Sequence, residues 1–215
     1  GNNWEYSDVE LIGNEISVYS TAFIPSTGEY YPTLQDAIND CSTTATDYTT
    51  IQLLSCDEYY FAGISILAGQ KIEIDLNGQK INIKEIQKGI INDGDLKVTD
   101  LSTEKNGSIN FVNSLNGTVY GIFNNGKLEI DLATITLHTE SVTDTEYVIY
   151  NNYGTIINNS GDVISLSAPG HNDRLSSYGI YNKEGYIQVN NGTIVSAKAL
   201  SLWTGRKSFF SCVEY

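Results

Sequence analysis

The stretch Gly121-Ile122-Phe123-Asn124-Asn125-Gly126-Lys127-Leu128-Glu129-Ile130 decides the fold, because it recurs. An earlier copy reads Gly89-Ile90-Ile91-Asn92-Asp93-Gly94-Asp95-Leu96-Lys97-Val98. Two later copies carry one inserted residue each: Val148-Ile149-Tyr150-Asn151-Asn152-Tyr153-Gly154-Thr155-Ile156-Ile157, and Gly179-Ile180-Tyr181-Asn182-Lys183-Glu184-Gly185-Tyr186-Ile187-Gln188-Val189. The shared Asn falls at 92, 124, 151 and 182, spacings of 32, 27 and 31. Between the copies lie further short strand patterns at Ser108–Phe111, Thr134–Leu137, Val163–Leu166 and Thr193–Val195. A unit of roughly 30 residues with about three short strands and no helix is one coil of a β-solenoid. Leucine-rich repeats would show Leu-x-x-Leu-x-Leu, and propeller blades would run longer with four strands.

Stacking such coils pairs each strand in parallel with its equivalent one coil on, about 4.8 Å away. Ile90, Ile122, Ile149 and Ile180 then form one interior column. Leu96, Leu128, Ile156 and Ile187 form a second, and Val98, Ile130, Asn158 and Val189 a third with one polar member. Asn92, Asn124, Asn151 and Asn182 sit at the turn after the strand, where each amide can bond the next coil as an asparagine ladder. Gly94, Gly126, Gly154 and Gly185 are expected to supply backbone freedom to that turn. Upstream, the same alternation runs through Ile51 and Leu53, Ile64 and Ile66, Ile72, Ile74 and Leu76, and Ile81 and Ile83. The fold class is therefore all-β, a parallel β-helix.

One helix precedes the coils. Leu34, Ala37, Ile38 and Cys41 fall at i, i+3, i+4 and i+7, one apolar stripe. Thr33 can cap the start, with Asp36 placed as in a capping box. Residues 33–41 thus read as a short capping helix. Glu15–Val18 and Ala22–Tyr31 read as short strands around a Pro25-Ser26-Thr27-Gly28 turn. The expected layout is one domain: N-terminal strands and helix over 1–50, coils over 51–215, and a terminal strand or cap over 199–215.

The chain has 215 residues and a formal charge of −14, with 12 Lys+Arg against 26 Asp+Glu. Asn (21), Ile (25) and Gly (19) are heavily used, and the repeats assign them to turns and interior columns. So base-poor a chain argues against a nucleic-acid partner, whose phosphates need basic residues. No apolar run near 18 residues appears, so no membrane insertion is expected. Gly1 opens the chain without an initiator Met, a basic region or an apolar signal core, as in a processed or trimmed chain. Cys41, Cys56 and Cys212 form no CxxC and read as three buried thiols, or as a Cys41–Cys56 disulfide in an exported protein.

The runs Tyr31-Pro32-Thr33-Leu34-Gln35-Asp36-Ala37-Ile38, Thr50-Ile51-Gln52-Leu53-Leu54 and Lys71-Ile72-Glu73-Ile74-Asp75-Leu76-Asn77-Gly78-Gln79-Lys80-Ile81 resemble the opening of right-handed parallel β-helix proteins. With the later repeats, residues 28 to 200 look like the pectin-lyase-like superfamily, in its adhesin-like branch of bacterial surface proteins. The resemblance implies a right-handed, single-stranded β-helix whose N-terminal helix plugs the end of the solenoid. It also implies export to the bacterial cell surface or the extracellular space.

Enzymes of that fold carry clustered carboxylates on one face, two for a hydrolase, or an acidic calcium site with a base for a lyase. Here Asp93 shares its column with Asn125 and Asn152, Asp95 with Lys127 and Thr155, and Asp131 with Thr99. No catalytic set and no cofactor is expected. Asn92-Asp93-Gly94-Asp95 has a calcium-like look, with Asp93 and Asp95 as ligands, but lacks the rest of a site. Six aromatics are the leading candidates for ligand binding: Phe123, Tyr150 and Tyr181 in one outward column, Tyr120, Tyr147 and Tyr178 in another. Such rings either grip sugar faces or stack on one another and staple the coils. His171, Asp173 and Arg174, after Pro169-Gly170, form a loop that could take an anionic sugar or be a plain insertion. The expectation is a non-catalytic surface module for adhesion to a glycan or a host or cell-surface protein. The alternatives are a polysaccharide lyase or glycoside hydrolase, and a phage tail-fibre fragment.

Overall fold

The computed structural model describes residues 9–12, 15–18, 20–139, 145–167, 176–196, 202–204 and 208–212. It is a parallel β-solenoid with one helix among the described residues. Before the solenoid, β1 (Val9–Ile12) pairs antiparallel with β2 (Glu15–Val18). The hairpin of β3 (Ala22–Ile24) and β4 (Glu29–Tyr31) follows, then α1 (Leu34–Asp40). The first coil is β5 (Thr49–Leu53), β6 (Asp57–Tyr60) and β7 (Ile64–Ile66). The second is β8 (Lys71–Asp75), β9 (Lys80–Lys84) and β10 (Lys88–Asn92), and the third β11 (Asp95–Thr99), β12 (Ser108–Asn113) and β13 (Val119–Asn124). Then come β14 (Lys127–Asp131), β15 (Thr134–Thr139) and β16 (Thr145–Asn151), and β17 (Thr155–Asn158), β18 (Asp162–Ser167) and β19 (Ser176–Asn182). The last strands are β20 (Gly185–Val189), β21 (Ile194–Val195), β22 (Leu202–Thr204) and β23 (Ser208–Cys212).

Every third strand joins the same sheet. Sheet 1 takes β5 through β23, sheet 2 takes β6 through β21, and sheet 3 takes β7 through β22. The register is the one the repeat dictates. Ile90, Ile122, Ile149 and Ile180 pair in turn, as do Leu96, Leu128, Ile156 and Ile187. All eight are completely buried. Burying an isoleucine fully contributes about 1.5–3 kcal/mol. A column of four is therefore a major share of what holds neighbouring coils together.

The polar member of the third column, Asn158, is fully buried and still satisfied. Its Nδ2 donates to the Gly161 carbonyl (3.0 Å), and its Oδ1 accepts from the Gly161 N–H (2.9 Å). It replaces an apolar contact by closing its own turn.

The asparagine ladder forms as the repeat implies. Asn92 Nδ2 donates to Asn124 Oδ1, Asn124 to Asn151 and Asn151 to Asn182, each at 2.7 Å. Backbone carbonyls of Lys127, Gly126 and Gly154 accept the other amide hydrogens, which fixes which way each amide faces. Asn92 Oδ1 is buried and left without a partner, because Ile66 holds that position one coil earlier. The glycines beside the ladder have a different role from the expected one. Of the four only Gly185 has a positive φ (108°). A Cβ on Gly126 would lie 1.9 Å from the Gly94 carbonyl oxygen, and one on Gly154 2.1 Å from that of Gly126. These turns stack so tightly that no side chain fits, whatever the backbone angles.

The N-terminal end is closed as expected. Thr33 caps α1, its hydroxyl oxygen accepting from the Asp36 N–H at 3.1 Å. Asp36 does not reach back to the Thr33 backbone; its short carboxylate accepts from the Thr33 hydroxyl instead (2.7 Å). Leu34, Ala37 and Ile38 are fully buried. Three side chains of the first coil and the turn after it clasp both helix ends. Asp57 accepts from the Leu34 N–H (2.9 Å), and the Tyr59 hydroxyl from the Gln35 N–H (3.1 Å). Buried Gln70 donates to the carbonyls of Ile38 (2.7 Å) and Cys41 (3.1 Å). The hairpin then covers the edge of β5, with β3 pairing antiparallel to it.

Of the cysteines in described positions, Cys41 is a buried thiol as expected, Cys56 is not buried, and the two form no disulfide. Cys41 and Cys56 are free thiols, the first buried against the Ala37 carbonyl (3.2 Å), the second exposed. The Cys212 side chain lies outside the described residues.

Two stability outcomes follow. Asn124→Ala reads from sequence as the loss of one rung, about 1–2 kcal/mol. The geometry raises this, since bonds to two neighbouring amides and a turn carbonyl go at once: about 3 kcal/mol at typical values per buried bond, measured by urea denaturation, against complete loss of folding for Ile122→Asp. Gln70→Leu bares two buried carbonyls and loosens α1. Cys41 should then react with a thiol reagent many-fold faster than in the wild type, while exposed Cys56 reacts at once in both.

Candidate functional site

The six aromatics come together on sheet 3. Within β13, β16 and β19 they alternate with buried positions and are half-buried. Tyr120, Tyr147 and Tyr178 stack with centroids 5.3 and 5.2 Å apart and planes within 15°. Phe123, Tyr150 and Tyr181 stack at 5.2 and 5.3 Å, within 16°. The columns meet edge to face: Tyr120 on Phe123 (5.3 Å), Tyr147 on Tyr150 (5.0 Å) and Tyr178 on Tyr181 (5.2 Å). Lys88 closes one end, with Nζ 3.8 Å from the centroid of Phe123. The register foretells Lys88, which pairs with Tyr120; the sequence reading passed over it.

This packing bears on the two readings of the rings. The flat faces within each column are covered by the next ring, so the array staples three coils. What remains for a ligand is ring edges and a row of phenol groups repeating once per coil. Burial, and then the neighbouring phenols Tyr181, Tyr120, Tyr178 and Tyr150, push the Tyr147 hydroxyl well above its ordinary value. Burial raises those of Tyr120 and Tyr150 too.

The described acids of the coils bond to lysines, amides and backbone N–H groups. Outward columns of sheet 1 alternate in sign: Lys71, Asp95, Lys127 in one, and Glu73, Lys97, Glu129 beside it. Lys97 Nζ meets Glu73 at 2.7 Å, and Lys71 Nζ meets Asp95 at 3.9 Å. Asp93 heads an exposed ladder: Asn125 donates to it (2.6 Å), Asn152 to Asn125 (3.1 Å) and Lys183 to Asn152 (3.1 Å). Asp93 and Asp95 thus serve different partners, and among the described residues no three His, Cys, Asp or Glu converge to hold a metal.

Two further ladders of this kind escaped the sequence reading. Asn190 donates to Asn159 (2.8 Å) and Asn159 to Glu129 (3.0 Å). Asn110 donates to Asn82 (3.0 Å) and Asn82 to Glu58 (3.3 Å). A carboxylate can only accept, so each acid turns the whole row of amides toward itself.

Asp100, fully buried, organises a corner. It accepts from the backbone N–H of Gly78 (2.9 Å), Ser102 (3.0 Å) and Gly107 (2.6 Å). Burial pushes its carboxyl up, but the Ser102 hydroxyl and these N–H groups more than offset that, and it lies below the usual aspartate range. His138 Nδ1 sits 3.0 Å from the Leu166 carbonyl, which can only accept, so that nitrogen carries the proton. His171, Asp173 and Arg174 lie outside the described residues.

The raised tyrosines predict alkaline sensitivity. Unfolded phenols ionise near pH 10, while Tyr120, Tyr147 and Tyr150 stay neutral to higher pH when folded. The folded state then holds more protons, so stability falls as pH rises past about 10. Tyr147→Phe should blunt that fall, read from thermal melts across the alkaline range.

Compared with known proteins, the chain matches no family model, no curated protein and no solved structure.

Proposed function

We propose that this chain is a non-catalytic module of a bacterial cell surface, exported and presenting sheet 3 to a glycan or to a host or cell-surface protein. The observation that supports this reading is the six-ring face, where among the described residues one side-chain chemistry extends outward over three successive coils. Tyrosine offers a partner large area at low conformational cost, with a hydroxyl at its tip. The resemblance of the repeats to the adhesin-like branch of the pectin-lyase-like superfamily supports the same reading. So does the direction of the acids, which bond to lysines, asparagines and backbone N–H groups of their own fold.

The test separates the hydroxyls from the stack. Tyr147→Phe, Tyr150→Phe and Tyr178→Phe together keep the ring packing and remove the tips. The wild type, screened on glycan and host-protein arrays, should retain a ligand that the triple variant holds at least tenfold more weakly, equivalent to about 1.4 kcal/mol. Equal binding by both proteins moves the contact off sheet 3. Turnover of a pectin or alginate substrate, abolished by Asp93→Asn or Asp95→Asn, would replace the reading with an enzymatic one.

A further inference from the structure

Five asparagines are followed by glycine: Asn77, Asn106, Asn116, Asn125 and Asn191. At such a pair a chain can modify itself. The glycine nitrogen gives up its proton and bonds to the asparagine Cγ, the Cγ–Nδ2 bond breaks, and ammonia leaves. Water then opens the cyclic imide at either carbonyl, which gives aspartate or isoaspartate. Glycine favours ring closure because no side chain hinders its nitrogen. The reaction needs two freedoms. The asparagine side chain must turn onto the next nitrogen, and that nitrogen must be released from any hydrogen bond it donates.

The fold withholds one or both freedoms at three of the pairs. Asn77 Nδ2 donates to the Leu53 carbonyl (2.9 Å), and the Gly78 N–H donates to Asp100 Oδ1 (2.9 Å). The Gly107 N–H, after Asn106, donates to Asp100 Oδ2 (2.6 Å). A carboxylate there also opposes the negative charge that the attacking nitrogen must take on. Asn125 Nδ2 donates to Asp93 (2.6 Å), and the Gly126 N–H to the Asn92 carbonyl (3.0 Å). The fourth pair is held by packing. Asn191 is exposed. A Cβ on Gly192, however, would lie 2.1 Å from the Gly161 carbonyl oxygen and 3.1 Å from the Gly161 nitrogen, so this peptide is seated on the preceding coil.

Asn116 differs from all four. It is exposed, in the loop between β12 and β13. The loop is pinned on each side. Asn113 donates to the Ile86 carbonyl and accepts from the Leu115 N–H (2.8 Å), and the Tyr120 N–H donates to the Gln87 carbonyl (2.8 Å). Between these pins, among the described residues, neither the Asn116 amide nor the Gly117 N–H has a hydrogen-bond partner. A Cβ on Gly117 would meet only Gln87 Nε2, at 3.5 Å, so the backbone there has room to turn.

We propose that Asn116 is a self-modification site, converted by the Gly117 nitrogen to aspartate and isoaspartate while the fold protects the other four Asn-Gly pairs. Either product adds one negative charge at the corner that leads into β13, where Tyr120 and Phe123 begin the two aromatic columns. Isoaspartate also lengthens the main chain there by one carbon. Attack needs a deprotonated nitrogen, so the rate rises with pH.

The folded chain is incubated in mildly alkaline buffer and in mild acid, then digested and mapped by mass spectrometry, with isoaspartyl and aspartyl peptides resolved by chromatography. Asn116 should convert at least tenfold faster than Asn77, Asn106 and Asn125, equivalent to about 1.4 kcal/mol of protection. It should also outpace Asn191, yield isoaspartate among its products and slow in acid. Equal or faster conversion at any other pair overturns the proposal. Incubation in urea, with the chain unfolded, supplies the control. There the five pairs should react at similar rates; an order that persists in urea belongs to local sequence and overturns the protective role of the fold. Asn116→Gln should abolish the fast phase of charge change followed by ion-exchange chromatography. A fast phase that survives places the modification elsewhere.

Discussion

In a parallel solenoid each side chain meets, about 5 Å away, whatever occupies its position in the next coil. This constraint governs nearly everything else in the molecule. A column must consist of residues that tolerate or complement one another at that distance. Isoleucine and leucine satisfy it by packing, asparagine by donating on one side and accepting on the other, tyrosine by stacking, and charged residues by meeting the opposite sign, an amide or a ring. Glycine satisfies it by having no side chain, as Gly94, Gly126 and Gly154 show.

The same constraint explains how the described acids of sheet 1 are arranged from coil to coil. Equal charges at equivalent positions would repel across every rung. Asp95 is instead flanked by Lys71 and Lys127, and Lys97 by Glu73 and Glu129. Other carboxylates turn inward or along the surface to take up N–H groups, as Asp100 and Asp93 do. The tyrosine array escapes the restriction because stacked phenols attract. It can therefore extend one chemistry outward over three coils.

Much of this was legible in the residues. The repeat placed the interior columns, the buried ladder and the two aromatic columns in their observed register, since register follows once equivalent positions are aligned. The capping helix was legible from its stripe and Thr33. What escaped notice lies between residues distant in sequence and outside the repeat. Gln70 meets Ile38 across 32 positions, and Asp57 meets Leu34 across 23. No periodicity announces such contacts. The role of the glycines was misjudged for a related reason: sequence reveals that a turn needs glycine, but only the approach of the next coil reveals whether the need is for an angle or for space.

The ladders have a polarity, and it differs between inside and outside. Buried amides donate toward the C-terminal coils, from Asn92 to Asn182, while exposed amides donate toward the N-terminal carboxylates Glu58, Asp93 and Glu129. A rung in the middle of such a row is interchangeable with any other, because it gives on one side what it takes on the other. An end rung is not, as the unpartnered Asn92 Oδ1 shows. The molecule is thus built like a directional polymer with specialised ends. Gene duplication can lengthen or shorten it by whole coils between Asn124 and Asn151 and leave each hydrogen-bonded row continuous, whereas gain or loss of a coil at either end requires a new terminator.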